Sequence, residues 1–230
     1  MAFFKDRTYS LSPSSLALFK ECKRCFWLHI NKRFKRPTSA FPSLPSGIDK
    51  LIKEHFNYHL ESGTRPKELS FLSEKINLFS NKEILKKWMA NIEWQDEEGN
   101  KLNGKIDYLL EDEEKRAIII DFKTKGSYVN ENDVKNIEIF YKPQLEIYAY
   151  LVMKNGFYVN NYGYLLYFYP KSINEDGSFV FGIEGKKVML DIMQAEALFK
   201  DAIETLRGPL PESSKTCDFC SWADKRAYFI

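Results

Sequence analysis

No run of apolar residues in this chain is long enough to cross a bilayer. The first fifteen residues, Met1 to Ser15, mix Lys5, Asp6 and Arg7 with serine and proline and lack the apolar stretch of a secretion signal. Neither secretion nor membrane insertion is expected. Repeats, low-complexity tracts and long linkers are absent as well, so organisation has to be read from hydrophobic periodicity and from turn residues. Cysteine is scarce: four residues in 230, arranged as two C-x-x-C pairs. In a chain without a secretion signal this points to a reducing, cytoplasmic setting in which thiolates hold metal and do not form disulfides. Nor is there a strong charge of one sign. A net charge of +2 does not by itself mark a nucleic-acid binder.

Apolar and aromatic residues are plentiful, at 44% and 15%, enough for 230 residues to bury a core as one domain spanning 1–230. Charge is clustered. Between Lys20 and Arg36 stand seven basic residues against the single acid Glu21, with Phe26, Trp27 and Phe34 interleaved. Such a segment can track a phosphate backbone and stack on bases, or it can be a solvated stretch whose aromatics join the core. Ser12-Pro13 reads as a helix start, with serine at the cap and proline in the first turn. The proline-rich stretch from Pro37 to Gly47 reads as a loop. Ile48, Leu51, Ile52, Phe56 and Leu60 then recur at helical spacing, with His55 and His59 placed on the apolar side. Leu102–Leu110 and Arg116–Lys123 are β-rich runs around the acidic turn 111–115, a hairpin signature. A helix is expected over Pro143–Met153, strands over Tyr162–Tyr169 and Phe179–Ile183, and a long helix from about Val188 to Leu206, ended by Gly208 and Pro209. The order predicts an α/β fold with a mixed central sheet flanked by helices.

The hairpin carries the candidate chemistry. Opposed residues of an antiparallel pair share a face, and so do residues two apart on one strand. If the connecting loop holds an odd number of residues and no bulge intervenes, Asp107, Asp121 and Lys123 project together. Two adjacent carboxylates repel unless a cation lies between them, which suits a hard divalent ion, Mg²⁺ or Mn²⁺. The ammonium of Lys123 can then orient a water molecule and stabilise charge on a scissile phosphate. The competing reading makes the aspartates ordinary surface carboxylates. Against it, Asp121 directly follows Ala117-Ile118-Ile119-Ile120, apolar enough for a central strand where an unpaired carboxylate is costly. Asp107 also lies just beyond Gly104, and a strand glycine often marks a close approach by another group.

Cys22-Lys23-Arg24-Cys25 and Cys217-Asp218-Phe219-Cys220 supply four thiolates, the number that a tetrahedral zinc ion or a four-iron four-sulfur cluster requires. A metal clasp of segments 11–36 and 209–230 would join the two ends of the chain and fix the basic segment against the core.

Gly104-Lys105-Ile106-Asp107, Ile120-Asp121-Phe122-Lys123-Thr124 and Gln144-Leu145-Glu146-Ile147-Tyr148 together resemble the successive motifs of the PD-(D/E)xK nuclease superfamily in its RecB-like branch. That branch includes CRISPR-associated iron-sulfur exonucleases, and the likeness extends from about Leu11 to Trp222. The resemblance implies a restriction-endonuclease-like fold and a metal-dependent deoxyribonuclease acting on DNA, on single strands or at ends. It implies that Asp107, Asp121 and the Phe122 carbonyl ligate the metal, that Lys123 is the catalytic lysine, and that Gln144 and Tyr148 position DNA or the lysine. It also implies protein partners in DNA repair or CRISPR adaptation, and it favours the iron-sulfur cluster at the cysteines, with zinc as the alternative. Two departures stand out. The helix position where RecB-like nucleases carry a metal-binding histidine is Leu51 here, leaving His55, Asp49 or Glu54 as substitutes, and the usual one-plus-three division of cysteines is here two-plus-two. A rival function is a nucleic-acid-binding or scaffold module that keeps the fold and the clasp without cutting; a zinc-containing protein-interaction domain is a third.

Overall fold

The computed structural model describes residues 7–37, 43–128 and 140–227. Its helices are α1 (Pro13–Glu21), α2 (Lys23–Lys32), α3 (Ser43–Ser62), α4 (Lys82–Ala90), α5 (Lys142–Lys154), α6 (Met193–Arg207) and α7 (Asp218–Ala227). The strands are β1 (Ser10–Leu11), β2 (Asn77–Leu78), β3 (Ile92–Gln95), β4 (Lys101–Gly104), β5 (Tyr108–Glu111), β6 (Ala117–Thr124), β7 (Tyr162–Ile173) and β8 (Phe179–Met189). A five-stranded sheet runs in the order β2-β5-β6-β7-β8, and a three-stranded sheet in the order β1-β4-β3. Only β6 with β7 and β1 with β4 are parallel, so both sheets are mixed, as expected for the α/β fold. The parallel β6–β7 pair needs a crossover, and α5 supplies it, packed on β6 and on α6. Apolar side chains of both sheets and of the helices between them form one buried cluster. No helix among the described residues is long and apolar enough to cross a membrane.

Several boundaries move for identifiable reasons. α3 begins within the stretch read as a loop, because Pro45 lies in the first turn, where its missing N–H has no intrahelical partner to lose; residues 38–42 of that stretch lie outside the described residues. The buried stripe of α3 is Ile52, Phe56 and Leu60. His55 therefore lies off the stripe and is exposed, a correction to the inward placement read from the sequence. Val188 belongs to β8, and the following helix starts only at Met193. β8 forms the edge of the sheet and is half solvated, so Glu184, Lys186 and Lys187 break its apolar pattern although it pairs along nearly its whole length with β7. The single first strand expected over Leu102–Leu110 is two: the chain leaves the three-stranded sheet after Gly104 and enters the other at Tyr108.

Segment 20–36 forms α2 and its flanks. Phe26 and Trp27 are buried, and the Trp27 indole N–H donates to the Gly208 carbonyl at 3.1 Å. Those two aromatics join the core, while Phe34 remains exposed.

Candidate active site and cysteine centre

The β5–β6 ladder opposes Tyr108 to Ile120 and Glu111 to Ala117, across a five-residue turn, Asp112 to Arg116. The loop is odd, and the ladder ends at Tyr108 and Ile120, the residues next to Asp107 and Asp121. β5 stops at Tyr108, and a side chain continues the ladder where strand backbone ends: the Phe122 N–H donates to Asp107 Oδ2 at 2.9 Å. Asp121 pairs with Leu165 of β7 on its other side, which makes its strand central, and its side chain is 1% exposed.

Two helices bracket this end of the sheet. On the α5 side, Gln144 and Tyr148 stand one turn apart. Gln144 Nε2 donates to Asp121 Oδ1 and to the Tyr148 hydroxyl, each at 3.0 Å, while Gln144 Oε1 accepts from Lys123 Nζ at 3.0 Å. Lys123 Nζ also pairs with Asp121 Oδ2 and lies 4.9 Å from the centre of the Tyr141 ring. One amide thus fixes the carboxylate, the ammonium and the phenol together. Gly104 allows the phenol its place: a Cβ there would lie 2.9 Å from Tyr148 Cε1, so the close approach expected at this strand glycine is that of the tyrosine ring.

On the other side, α3 lays Phe56 against Phe122 and Tyr108, with ring centroids 4.5 and 5.2 Å apart. That packing carries Lys53 over the carboxylates. Its Nζ lies 3.0 Å from Asp107 Oδ1 and 2.9 Å from Asp49 Oδ2. Lys53 was not recognised from the sequence; the available signal was its place four residues after Asp49, on the flank of the buried stripe. Of the substitutes considered for the absent helix histidine, Asp49 is joined to Asp107 through Lys53. Glu54 pairs with Lys50. His55 is directed away from the pair, with Nε2 3.0 Å from Glu68 Oε1.

The electrostatics follow from burial. Desolvation pushes the Asp121 carboxyl well above the ordinary carboxylate range; Lys123 opposes that rise and Asp107 adds to it. Burial disfavours the charged form of Lys53, but Asp107 and Asp49 outweigh it and raise its pKa. Asp121 Oδ2 is buried and makes no directional hydrogen bond, the Lys123 ammonium being its only compensation among the described residues. Two carboxylates held close together, with Asp121 Oδ2 left without a hydrogen-bond donor, are a donor set suited to a hard divalent ion.

The cysteine centre closes the molecule at the opposite ends of the chain. Cys22 caps α2 and accepts from the Cys25 N–H at 3.4 Å, while Cys217 immediately precedes α7 and Cys220 lies in its first turn. All four thiols are buried and unpaired by disulfide, and their sulfurs lie within 4.8 Å of one another. Burial raises the Cys217 thiol, but N–H donors from Cys220 and Phe219 and the neighbouring cysteines outweigh it and bring Cys217 down to about 7. Arg24 and Arg36 of the basic segment brace this centre: Arg24 Nη1 donates to the Pro211 carbonyl at 2.8 Å, and Arg36 pairs with Glu21 at 2.5 Å.

A family profile described as "PD-(D/E)XK nuclease superfamily" matches residues 10–224. Among solved structures, one titled "Crystal structure of SSO0001" is 15% identical, over 89% of this chain and 80% of that one, with a TM-score of 0.44. No curated protein matches the chain.

Proposed function

The chain belongs to the PD-(D/E)XK nuclease superfamily, a membership that implies metal-dependent hydrolysis of nucleic-acid phosphodiesters, and from that premise we propose that it is a deoxyribonuclease acting on single strands or at ends. The observation that carries the assignment is the convergence of Asp107, Asp121 and Lys123, held by Gln144, at the end of a central strand. A module that only bound nucleic acid would have no use for a buried carboxylate whose compensation is an ammonium.

Asp107, Asp121 and the Phe122 carbonyl would hold Mg²⁺ or Mn²⁺, with Asp49 of α3 joined to Asp107 through Lys53. When bound, the ion supplies Lewis-acid polarisation of the phosphoryl oxygen and lowers the pKa of a coordinated water. The chain's own residues do the rest. Lys123 presents a proton donor to the phosphate and is kept from collapsing wholly onto Asp121 by its second contact, with Gln144. Gln144 holds Asp121 Oδ1, and Tyr148 fixes the amide.

A cavity of about 620 Å³ opens beside the site, lined by Asn103, Gly104, Lys105, Phe140, Gln144 and Tyr148 among others. Phe140 is 63% exposed and offers a face on which a base can stack, and Lys105 offers a charge for the adjoining phosphate. An unpaired base can enter such a recess, whereas a paired one must first leave its stack. This supports a single strand, or a frayed end, as substrate.

Labelled single-stranded DNA, duplex DNA and RNA of one sequence, incubated with Mg²⁺ or Mn²⁺ beside Asp121→Asn and Lys123→Met, test the reading. Wild-type cleavage that fails in both variants, with single-stranded DNA cut fastest, is the expected result. Binding without cleavage under either metal would replace the nuclease by a scaffold, and preferential cutting of RNA would replace the substrate.

A further inference from the structure

The resemblance of this chain to iron-sulfur exonucleases implies a four-iron cluster at the cysteines, and the dimensions of the cysteine cage do not fit one. Cys22 Sγ lies 3.6 Å from Cys220 Sγ, and Cys25 Sγ lies 3.7 Å from Cys217 Sγ and 3.9 Å from Cys220 Sγ. The largest separation within the set stays inside 4.8 Å. With zinc–sulfur bonds of 2.3 Å, a tetrahedron places its sulfurs about 3.8 Å apart. In a four-iron cluster each thiolate caps a different iron at the corners of a cube, so the sulfurs must stand roughly 6 Å apart. We propose that the two C-x-x-C pairs hold a single tetrahedral zinc ion, and that Arg36 is its outer-sphere partner.

Three further features agree. Each pair is built alike, with its first cysteine at the N-terminal boundary of a helix and its second in the first turn, so that each bites one ion from one side. The Cys25 N–H donates to Cys22 Sγ, an amide-to-sulfur bond that stabilises a metal-bound thiolate. Four thiolates around a divalent ion leave two excess negative charges in a buried place. Arg36 meets that charge directly: its Nη2 lies 3.2 Å from Cys217 Sγ, and its guanidinium is stacked 4.5 Å from the centre of the Phe219 ring. Filled positions of this kind leave no coordination site open, so the ion is structural. It ties the start of α2 to the start of α7 across almost the whole chain and has no part in cleavage.

The test is metal content, which does not depend on nuclease activity. Full-length protein, produced with iron and sulfide available and purified without oxygen, is analysed by mass spectrometry of its metals and by absorbance. One zinc per chain and a colourless solution are expected, in the wild type and in Asp121→Asn alike. Four irons with matching sulfide and a brown solution overturn the proposal, as does protein folded without metal at these cysteines. Arg36→Gln should keep its zinc but yield it to a colorimetric chelator about tenfold faster. An unchanged rate would overturn the role given to Arg36.

Discussion

Replacing Gln144 by leucine removes one side chain that serves three others. Asp121 Oδ1 loses its donor, Lys123 Nζ loses its amide acceptor and keeps only the carboxylate of Asp121 among these residues, and the Tyr148 hydroxyl loses the amide, all from contacts of 3.0 Å. A hydrogen bond to a charged group contributes about 1.5–3 kcal/mol. Asp121 is nearly fully buried, so water cannot replace the lost donor without opening the site. If that energy is expressed in the transition state, at about 1.36 kcal/mol per factor of ten, kcat falls about ten- to a hundredfold. Leucine keeps the volume of the side chain, so the helix should stay packed and the loss should appear in kcat, not in substrate affinity. Single-turnover cleavage of a labelled strand, with folding checked by urea denaturation, separates the two. A kcat within about threefold of wild type in a protein of normal stability would refute the assignment of Gln144 as the residue that positions the lysine and the aspartate.

Asp121 makes the metal-free protein sensitive to pH. Its folded pKa is raised by burial, so the folded state binds a proton more tightly than the unfolded chain. The contribution of this carboxyl to stability should therefore be fully present in acid and fall as pH rises above the ordinary aspartate value of about 3.9 toward the raised folded one; denaturation of Asp121→Asn with chelator present should lose that part of the slope. Lys53 is raised instead by its carboxylates. Its contribution to stability is present below about pH 10.4 and is lost as pH climbs through its folded value, a loss that Lys53→Met should abolish. The same variant frees Asp107 Oδ1 of a competing cation, and half-maximal activity should require less Mg²⁺. Gly104→Ala presses a Cβ to 2.9 Å from the Tyr148 ring and should cost about 1–3 kcal/mol in urea denaturation while also slowing cleavage.

Much of this fold was legible along the chain because the determining signals are local. The alternation and the turn residues around 111–116 specified the β5–β6 pairing, and a period-two register fixes which residues meet once the loop length is known. The ladder from Tyr108 to Glu111 therefore follows a register already implied by the spacing, and Asp107, one residue beyond it, meets β6 through the Phe122 N–H. The helix carrying Gln144 and Tyr148 was likewise written in its apolar sequence and in Pro143 at its start. Edge strands were harder. β8 has one solvated face and carries lysines and glycines, so its ladder with β7 leaves little mark in hydropathy. The strand seen as one run from Leu102 to Leu110 divides because residues 105–107 cross between sheets, a change of partner that no local pattern records.

The sequence by itself determined which chemical groups were available: two aspartates and a lysine on adjoining strands, an amide and a phenol one helical turn apart, and four thiols in two pairs. Tertiary structure alone decided what each group faces. Phe56 packing on Phe122, a contact between segments distant in sequence, sets Lys53 over Asp107 and leaves His55 to Glu68. The spacing of sulfurs that separates a single ion from a cluster arises only when the start of α2 meets the start of α7. Covalent spacing limits the neighbours a side chain can have within its own element; distances across elements depend on how the whole core closes.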